Sequence, residues 1–300
     1  MSTLATTTAS SVAEDNTSGQ RVLFASDLDR TLIYSANSML LAGPDDAAPP
    51  MVVAEVYRGA PLSFMTRSAE AMLEDLAQRG QFVPVTTRTR EQFERIRLPG
   101  RGRGYAISTN GAVLMKDGVP DAAWTASIRS RISRECVPLA EVFEQLTVEN
   151  PVQGLVRART AEDTFIYCLV ERASLSPEYL ADLTDWCGQR GWKVSLQGRK
   201  LYCVPVPVSK EAAVAEVRER MGVDTLITAG DSLLDAGMLE VADIAFRPAH
   251  GELHATGFER PHLTVTGARG ILAGEEMVRS ALEYARGSSR VAGHPGSRQG

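Results

Sequence analysis

Cysteine is scarce in this chain of 300 residues: Cys136, Cys168, Cys187 and Cys203 are the four present, and no two stand in Cys-x-x-Cys spacing. That argues against a disulfide framework and a thiolate zinc site, and favours scattered buried thiols. Long apolar runs are also missing, and residues 1–20 lack the basic start and apolar centre of a signal peptide, so a cytoplasmic protein without a membrane partner is expected. Positive charge is in deficit: 32 Lys and Arg stand against 37 Asp and Glu, for a net charge of −5. No global basic field favours nucleic acid, so an anionic ligand must meet a local positive site. The four histidines, His250, His254, His262 and His294, show no metal-ligand spacing with the aspartates, and structural or surface roles are expected for them.

What the chain does have is 44% hydrophobic residues, enough for a sizeable core. In "VLFASDLDRTLIYS", residues 22–35, Val22 to Ala25 are apolar on successive positions, the pattern of a parallel strand covered on both faces. The strand runs into Asp27 and Asp29, carboxylates that are costly to bury unless something pairs them. Further along, "AEAMLEDLAQRG" has helical spacing and a C-terminal glycine before the strand "QFVPVTT". The stretches "GYAISTNGA", "DTLITAGDS" and "DIAFRP" read as strands, and "KEAAVAEVRERMG" and "LLDAGMLEVA" as helices. Alternation of this kind implies a Rossmann-like, doubly wound parallel α/β sheet with its site outside the carboxyl ends of the strands.

The middle of the chain breaks the rhythm. One long helical stretch, "AAWTASIRSRISRECVPLAEVFEQL", precedes strand pairs with a helix between them, which predicts an inserted α+β module over residues 121–205. The core is expected at 21–120 and 206–286, with hinges near 118–120 and 204–207 and disordered tails at 1–20 and 287–300. Residues 35–65 form a long connection containing a hairpin with its turn at Arg58 to Pro61. This flap near Asp27 offers a way to exclude water, to hold substrate or to make a homodimer contact, and the three stay open at this point.

Four short motifs occur in order: "DLDRT" at 27–31, "VPVTTR" at 83–88, "PVSK" at 207–210 and "GDSLLD" at 230–235, each beside a predicted strand end or helix start. Together they resemble the motifs of the haloacid dehalogenase-like phosphohydrolases, over essentially the whole expected fold. An insertion between the second and third motifs resembles the subgroup with a type-two α+β cap. That subgroup includes phosphatases of sucrose phosphate and mannosylphosphoglycerate, and a phosphomannomutase.

The resemblance implies a Mg²⁺-dependent phosphatase of a small phosphorylated metabolite, a sugar or polyol phosphate. Asp27 would be the nucleophile and Asp29 the acid and base for the leaving oxygen and the water. Two unit charges 4 Å apart repel by about 4 kcal/mol at an effective dielectric of 20, so a carboxylate attacking a phosphate dianion needs cations nearby. The family pattern puts Mg²⁺ on Asp27, the Asp29 carbonyl and Asp231, with Asp235 acting through water or by orienting Lys210. Lys210 and the Thr86 hydroxyl would meet the phosphoryl oxygens, Thr87 being the competing hydroxyl. Arg88, Asn110 and Arg199 are the candidate substrate contacts, with Arg90 and, for reading hydroxyls or a second anion, Lys200 beside them; surface or turn roles are the alternative for each. Arg30 departs from the family, where glycine is common. Two other functions fit the same motifs: a phosphosugar mutase or phosphotransferase, and a binding protein that recognises the phosphometabolite without turnover.

Overall fold

The apolar run at 22–26 forms β1 (Val22–Ser26), all five residues buried. The computed structural model describes residues 20–291; positions 1–19 and 292–300, where most of the expected tails fall, lie outside the described residues. After β1 come the flap strands β2 (Met51–Tyr57) and β3 (Ala60–Thr66), helix α1 (Arg67–Gln78), β4 (Phe82–Pro84) and the short α2 (Arg90–Glu94). Thr66 caps α1 by accepting the Ala69 N–H, and the flap turn falls at Arg58 and Gly59, both left-handed. A small antiparallel sheet, β5 (Tyr105–Ser108), β6 (Val113–Lys116) and β7 (Val119–Pro120), closes this half.

The middle elements are α3 (Ala122–Glu135), α4 (Leu139–Glu144), β8 (Leu155–Ala161), β9 (Phe165–Val170), α5 (Pro177–Gly188), β10 (Trp192–Gln197) and β11 (Lys200–Pro205). The long helical stretch expected here is in fact two helices, because Pro138 forces the preceding residues out of the helical conformation. The remaining elements are α6 (Lys210–Met221), β12 (Thr225–Ala229), α7 (Ala236–Glu240), β13 (Ile244–Arg247), α8 (Glu252–Ala255), β14 (Leu263–Val265) and α9 (Ile271–Val291). Helix α9 runs past residue 286, where the sequence suggests the fold ends. Each residue added to an existing helix gains a backbone bond without a new nucleation cost.

The main sheet has the order β14-β13-β12-β1-β4, every pairing parallel. Its two faces bury separate clusters. Phe24 packs with Leu73 and Leu76 of α1 and Met277 and Val278 of α9, while Leu23 and Ala25 face Val214 and Val217 of α6. Each fully buried large apolar side chain contributes about 1.5–3 kcal/mol. The second sheet, β10-β11-β9-β8, is antiparallel. Ile166, Cys168, Val170, Leu201 and Cys203 point from it into a core shared with α4 and α5, which leaves the alternate positions on the opposite face.

Candidate active site

β1 and β12 are adjacent and in register, Ser26 opposite Ala229, so the residues after their ends meet. The Asp27 N–H donates to the Ala229 carbonyl at 2.9 Å, which fixes Asp27 beside the loop carrying Asp231 and Asp235. Lys210 arrives from the other side of the sheet. It is the first residue of α6, capped by the Ser209 side chain, and Gly111 packs on this turn so closely that a Cβ there would lie 2.2 Å from the Ser209 carbonyl oxygen. With φ at +99°, Gly111 is also in a conformation that favours glycine.

The Lys210 side chain is fully buried and its Nζ donates to Asp27 Oδ1 and to Asp235 Oδ1, both at 2.6 Å. The other Asp235 oxygen accepts from the Asp231 and Ser232 N–H groups and the Ser232 hydroxyl. Thr31 donates to Asp27 Oδ2 at 3.1 Å. Burial pushes the Asp27 carboxyl up, Lys210 pulls it back and the neighbouring Asp235 and Asp29 raise it again, to about 7. Lys210 itself, despite burial, is held above the ordinary lysine value by its two carboxylate partners.

Asp231 is 4% exposed, and its carboxylate accepts no hydrogen bond from the described residues. Burial and the charges of Asp27 and Asp235 push its pKa well above the ordinary value; the nearest cation is Arg30, with Nε at 3.7 Å. One carboxylate oxygen from each of Asp27, Asp231 and Asp235 lies within 4.8 Å of the others. Asp235 is saturated by Lys210 and three donors, whereas Asp231 has only the longer Arg30 contact and no hydrogen bond. A hard oxygen set with one unsatisfied buried carboxylate fits a divalent cation such as Mg²⁺. Gly251 (φ +93°) presses against this carboxylate, where a Cβ would come 2.6 Å from Asp231 Oδ2.

Asp29 points the other way. Arg88 holds it in a two-pronged pair, Nε to Oδ2 at 2.7 Å and Nη2 to Oδ1 at 2.8 Å. Desolvation would raise the Asp29 carboxyl, but the Arg88 guanidinium outweighs it and keeps the group below the usual range. Arg88 also donates to Glu55 Oε2 at 2.6 Å, and Glu55, fully buried in the flap, accepts from Ser63 and from Arg95 as well. The flap is therefore tied to Asp29 through one arginine.

A cavity of about 610 Å³ opens from Asp27 and Asp29 toward the antiparallel sheet, lined among others by Arg30, Thr87, Arg88, Tyr167, Arg199, Lys200 and Tyr202. Of the expected contacts, Arg88 and Arg199 reach it. Asn110 does not: it is buried, its side chain donates to the Val208 carbonyl and accepts from Thr87. Thr86 is buried behind the lining, its hydroxyl oxygen accepting the Arg88 N–H, while Thr87 faces the space. Arg30 adopts φ +63°, the left-handed region favoured by glycine. His250 Nδ1 accepts the Gly270 N–H, so its Nε2 carries the proton and donates to the Arg30 carbonyl at 2.9 Å, pinning that turn.

Two carboxylates the sequence gave no reason to select join the sheets. Glu162, in the β8–β9 turn, accepts the Arg90 N–H and the Thr109 hydroxyl. Glu252, from α8, accepts the Ser195 hydroxyl, the Leu196 N–H and the Leu233 N–H. Both contacts span more than fifty residues, beyond the reach of any local pattern.

No protein-family model matches the chain, and comparison with curated proteins finds no match. Solved structures do match. The sucrose-phosphatase of Synechocystis, determined with sucrose and phosphate, aligns at TM-score 0.58 and 14% identity over 87% of this chain and 98% of that one. A Thermoplasma acidophilum protein aligns at 0.54 and 12% identity over 87% and 98%. A trehalose-6-phosphate phosphatase related protein aligns at 0.51 and 17% identity over 88% and 99%. At these identities the likeness is one of architecture, and the chain has the haloacid dehalogenase-like fold.

Proposed function

We propose that the chain is a Mg²⁺-dependent phosphatase of a small phosphorylated metabolite, a sugar or polyol phosphate, acting through an aspartyl-phosphate on Asp27. The observation that carries this is Asp27 at a strand end, charge-paired on one oxygen by buried Lys210, beside the buried Asp231 carboxylate that accepts no hydrogen bond from the described residues, and open to a cavity. The structural neighbours described as sucrose-phosphatase and as related to trehalose-6-phosphate phosphatase support a phosphosugar. Residues 121–205 act as the cap over a core of 21–120 and 206–286.

In this mechanism Asp27 attacks phosphorus, the ester oxygen leaves with a proton from Asp29, and water activated by Asp29 then frees phosphate and restores Asp27. The Arg88 pair favours ionised Asp29, the form that draws a proton from water. Protonating the leaving oxygen requires that pair to loosen. Lys210 offsets the charge built up on Asp27, and Asp235 positions Lys210 through the 2.6 Å contact. The cation, held by Asp27, Asp231 and the Asp29 carbonyl, would supply charge neutralisation of the phosphoryl oxygens. Thr86 or Thr87 and the backbone after Asp27 complete the oxyanion contacts.

The test is phosphate release from a panel of sugar, polyol, glycerate and nucleotide monophosphates with Mg²⁺, wild type beside Asp27→Asn, with sugar products followed in parallel. Turnover that vanishes in the variant supports the assignment. Sugar interconversion without free phosphate would replace it with a mutase, and binding without either would replace it with a recognition protein.

A further inference from the structure

The antiparallel sheet shows the site a face of distinct chemistry. In register, Tyr202 of β11 lies opposite Tyr167 of β9, and Lys200 lies opposite Leu169; Arg159 and Arg157 of β8 extend the same two rows. Residues paired across an antiparallel ladder share a face. Tyr167, Leu169, Lys200 and Tyr202 all line the cavity. The inner part is aromatic, with Phe165, Tyr167 and Tyr202 packed at ring-centroid distances of 6.2 Å for both Tyr202 contacts. The outer part is basic.

Of these outer cations, Arg199 and Lys200 line the cavity, and the charge of Lys200 is felt at the Asp29 carboxyl, which it helps to hold low. Among the described residues, Arg157, Arg159, Arg199 and Lys200 form no ion pair with any carboxylate, and no Asp or Glu occupies this face of the four strands. Arg199 spends only its Nε, on the Val170 carbonyl at 3.4 Å. Across the cavity the acidic groups are already satisfied: Asp29 and Glu55 by Arg88 and Arg95, Asp27 by Lys210. Arg199 and Lys200, gathered on the sheet side of the cavity with no carboxylate in ion-pair contact, raise the affinity of that side for an anion.

We propose that Lys200 and Arg199 form a subsite for a second anionic group, a carboxylate or a second phosphoryl group, at the end of the substrate remote from Asp27. The inference rests on the phosphatase reading and narrows its substrate to a metabolite whose carbon skeleton spans the aromatic rows between two charged ends. Such a skeleton suits a volume of about 610 Å³, which a lone phosphate does not fill.

The experiment compares matched phosphate esters with Mg²⁺: glucose 1-phosphate with glucuronate 1-phosphate, and fructose 6-phosphate with fructose 1,6-bisphosphate. Wild type and Lys200→Gln are run side by side; Lys200 is exposed, so the variant folds. In the wild type, kcat/KM should favour the doubly anionic member of at least one pair by about tenfold, the scale of one charge-assisted hydrogen bond, and Lys200→Gln should bring that ratio to about one. The pair that responds separates carboxylate from phosphoryl. Equal rates within both pairs in the wild type, or an equal loss for both members in the variant, would overturn the subsite. Should no ester, p-nitrophenyl phosphate included, release phosphate, the phosphatase reading has failed, and calorimetric binding of the same pairs decides the subsite. Tighter binding of the doubly anionic member, lost in Lys200→Gln, sustains it, and equal or absent binding overturns it.

Discussion

Lys210 Nζ lies 2.6 Å from Asp27 Oδ1 and 2.6 Å from Asp235 Oδ1, a single buried cation shared by two carboxylates from different strand ends. Removing one partner of a buried ion pair leaves an uncompensated charge, at about 3–5 kcal/mol. Lys210→Met should therefore destabilise the protein by about that amount at pH 8 in urea unfolding. The loss should shrink at pH 5, where Asp27 can take up a proton instead. Phosphate release by the folded variant should fall by about a thousandfold. A variant as stable as the wild type at pH 8 would contradict the shared-cation account.

The same cluster sets a pH dependence for the metal-free protein. Asp27, pushed up to about 7, and Asp231, raised well above its ordinary value, bind protons in the folded state that the unfolded chain has released. Stability from these groups is fully present below the unfolded carboxylate range and declines as pH rises through the folded values. In EDTA, Tm should fall from pH 5 to pH 8. Mg²⁺ should raise Tm more at pH 8 than at pH 5, because the ion competes with protons for the carboxylates. A flat Tm profile in EDTA would show that these carboxylates are not strained by burial.

Arg88 governs the second carboxylate. Arg88→Met removes the pair that holds Asp29 low, so the acidic limb of the kcat profile, where Asp29 acts as the base on water, should move to higher pH. Arg88→Lys, which keeps the charge but not the planar fork, should fall between variant and wild type. Unmoved limbs in both variants would detach Asp29 from the titration.

Gly251→Ala puts a methyl group 2.6 Å from Asp231 Oδ2 on a backbone at φ +93°. Displacing that carboxylate should weaken Mg²⁺ affinity by about 10–100-fold, measured by calorimetry. Unchanged affinity would remove Asp231 from the metal set.

Much of this was legible in the sequence, for identifiable reasons. Parallel strands buried on both faces carry apolar residues on successive positions, as Val22 to Ala25 and Leu226 with Ile227 do, so β1 and β12 and the carboxylates after them stand out. Glu55 did not. It lies in an otherwise ordinary hairpin strand, and register shifts on both sides of it, between Val53 and Val56, mark a bulge that turns the carboxylate inward. Nothing in "VVAEVY" announces a bulge. Glu162 and Glu252 were equally silent, since their meaning comes from partners brought close only by the fold. Asn110 is a candidate contact in the sequence, with a turn asparagine before Gly111 as the alternative. Its left-handed backbone and engaged amide give it a structural position instead.

The two-sided antiparallel sheet has a consequence for diversification. Ile166, Cys168, Leu201 and Cys203 form the buried underside, while Tyr167, Leu169, Gln197 and Lys200 alternate with them or lie opposite, facing the cavity. Leu169, Gln197 and Lys200 belong to neither buried cluster of this sheet, so substitutions there leave its packing in place, whereas Tyr167 also packs against buried Phe165, Tyr202 and Val204. A combinatorial library restricted to Leu169, Gln197 and Lys200 would reshape the cavity lining without touching Asp27 or its partners.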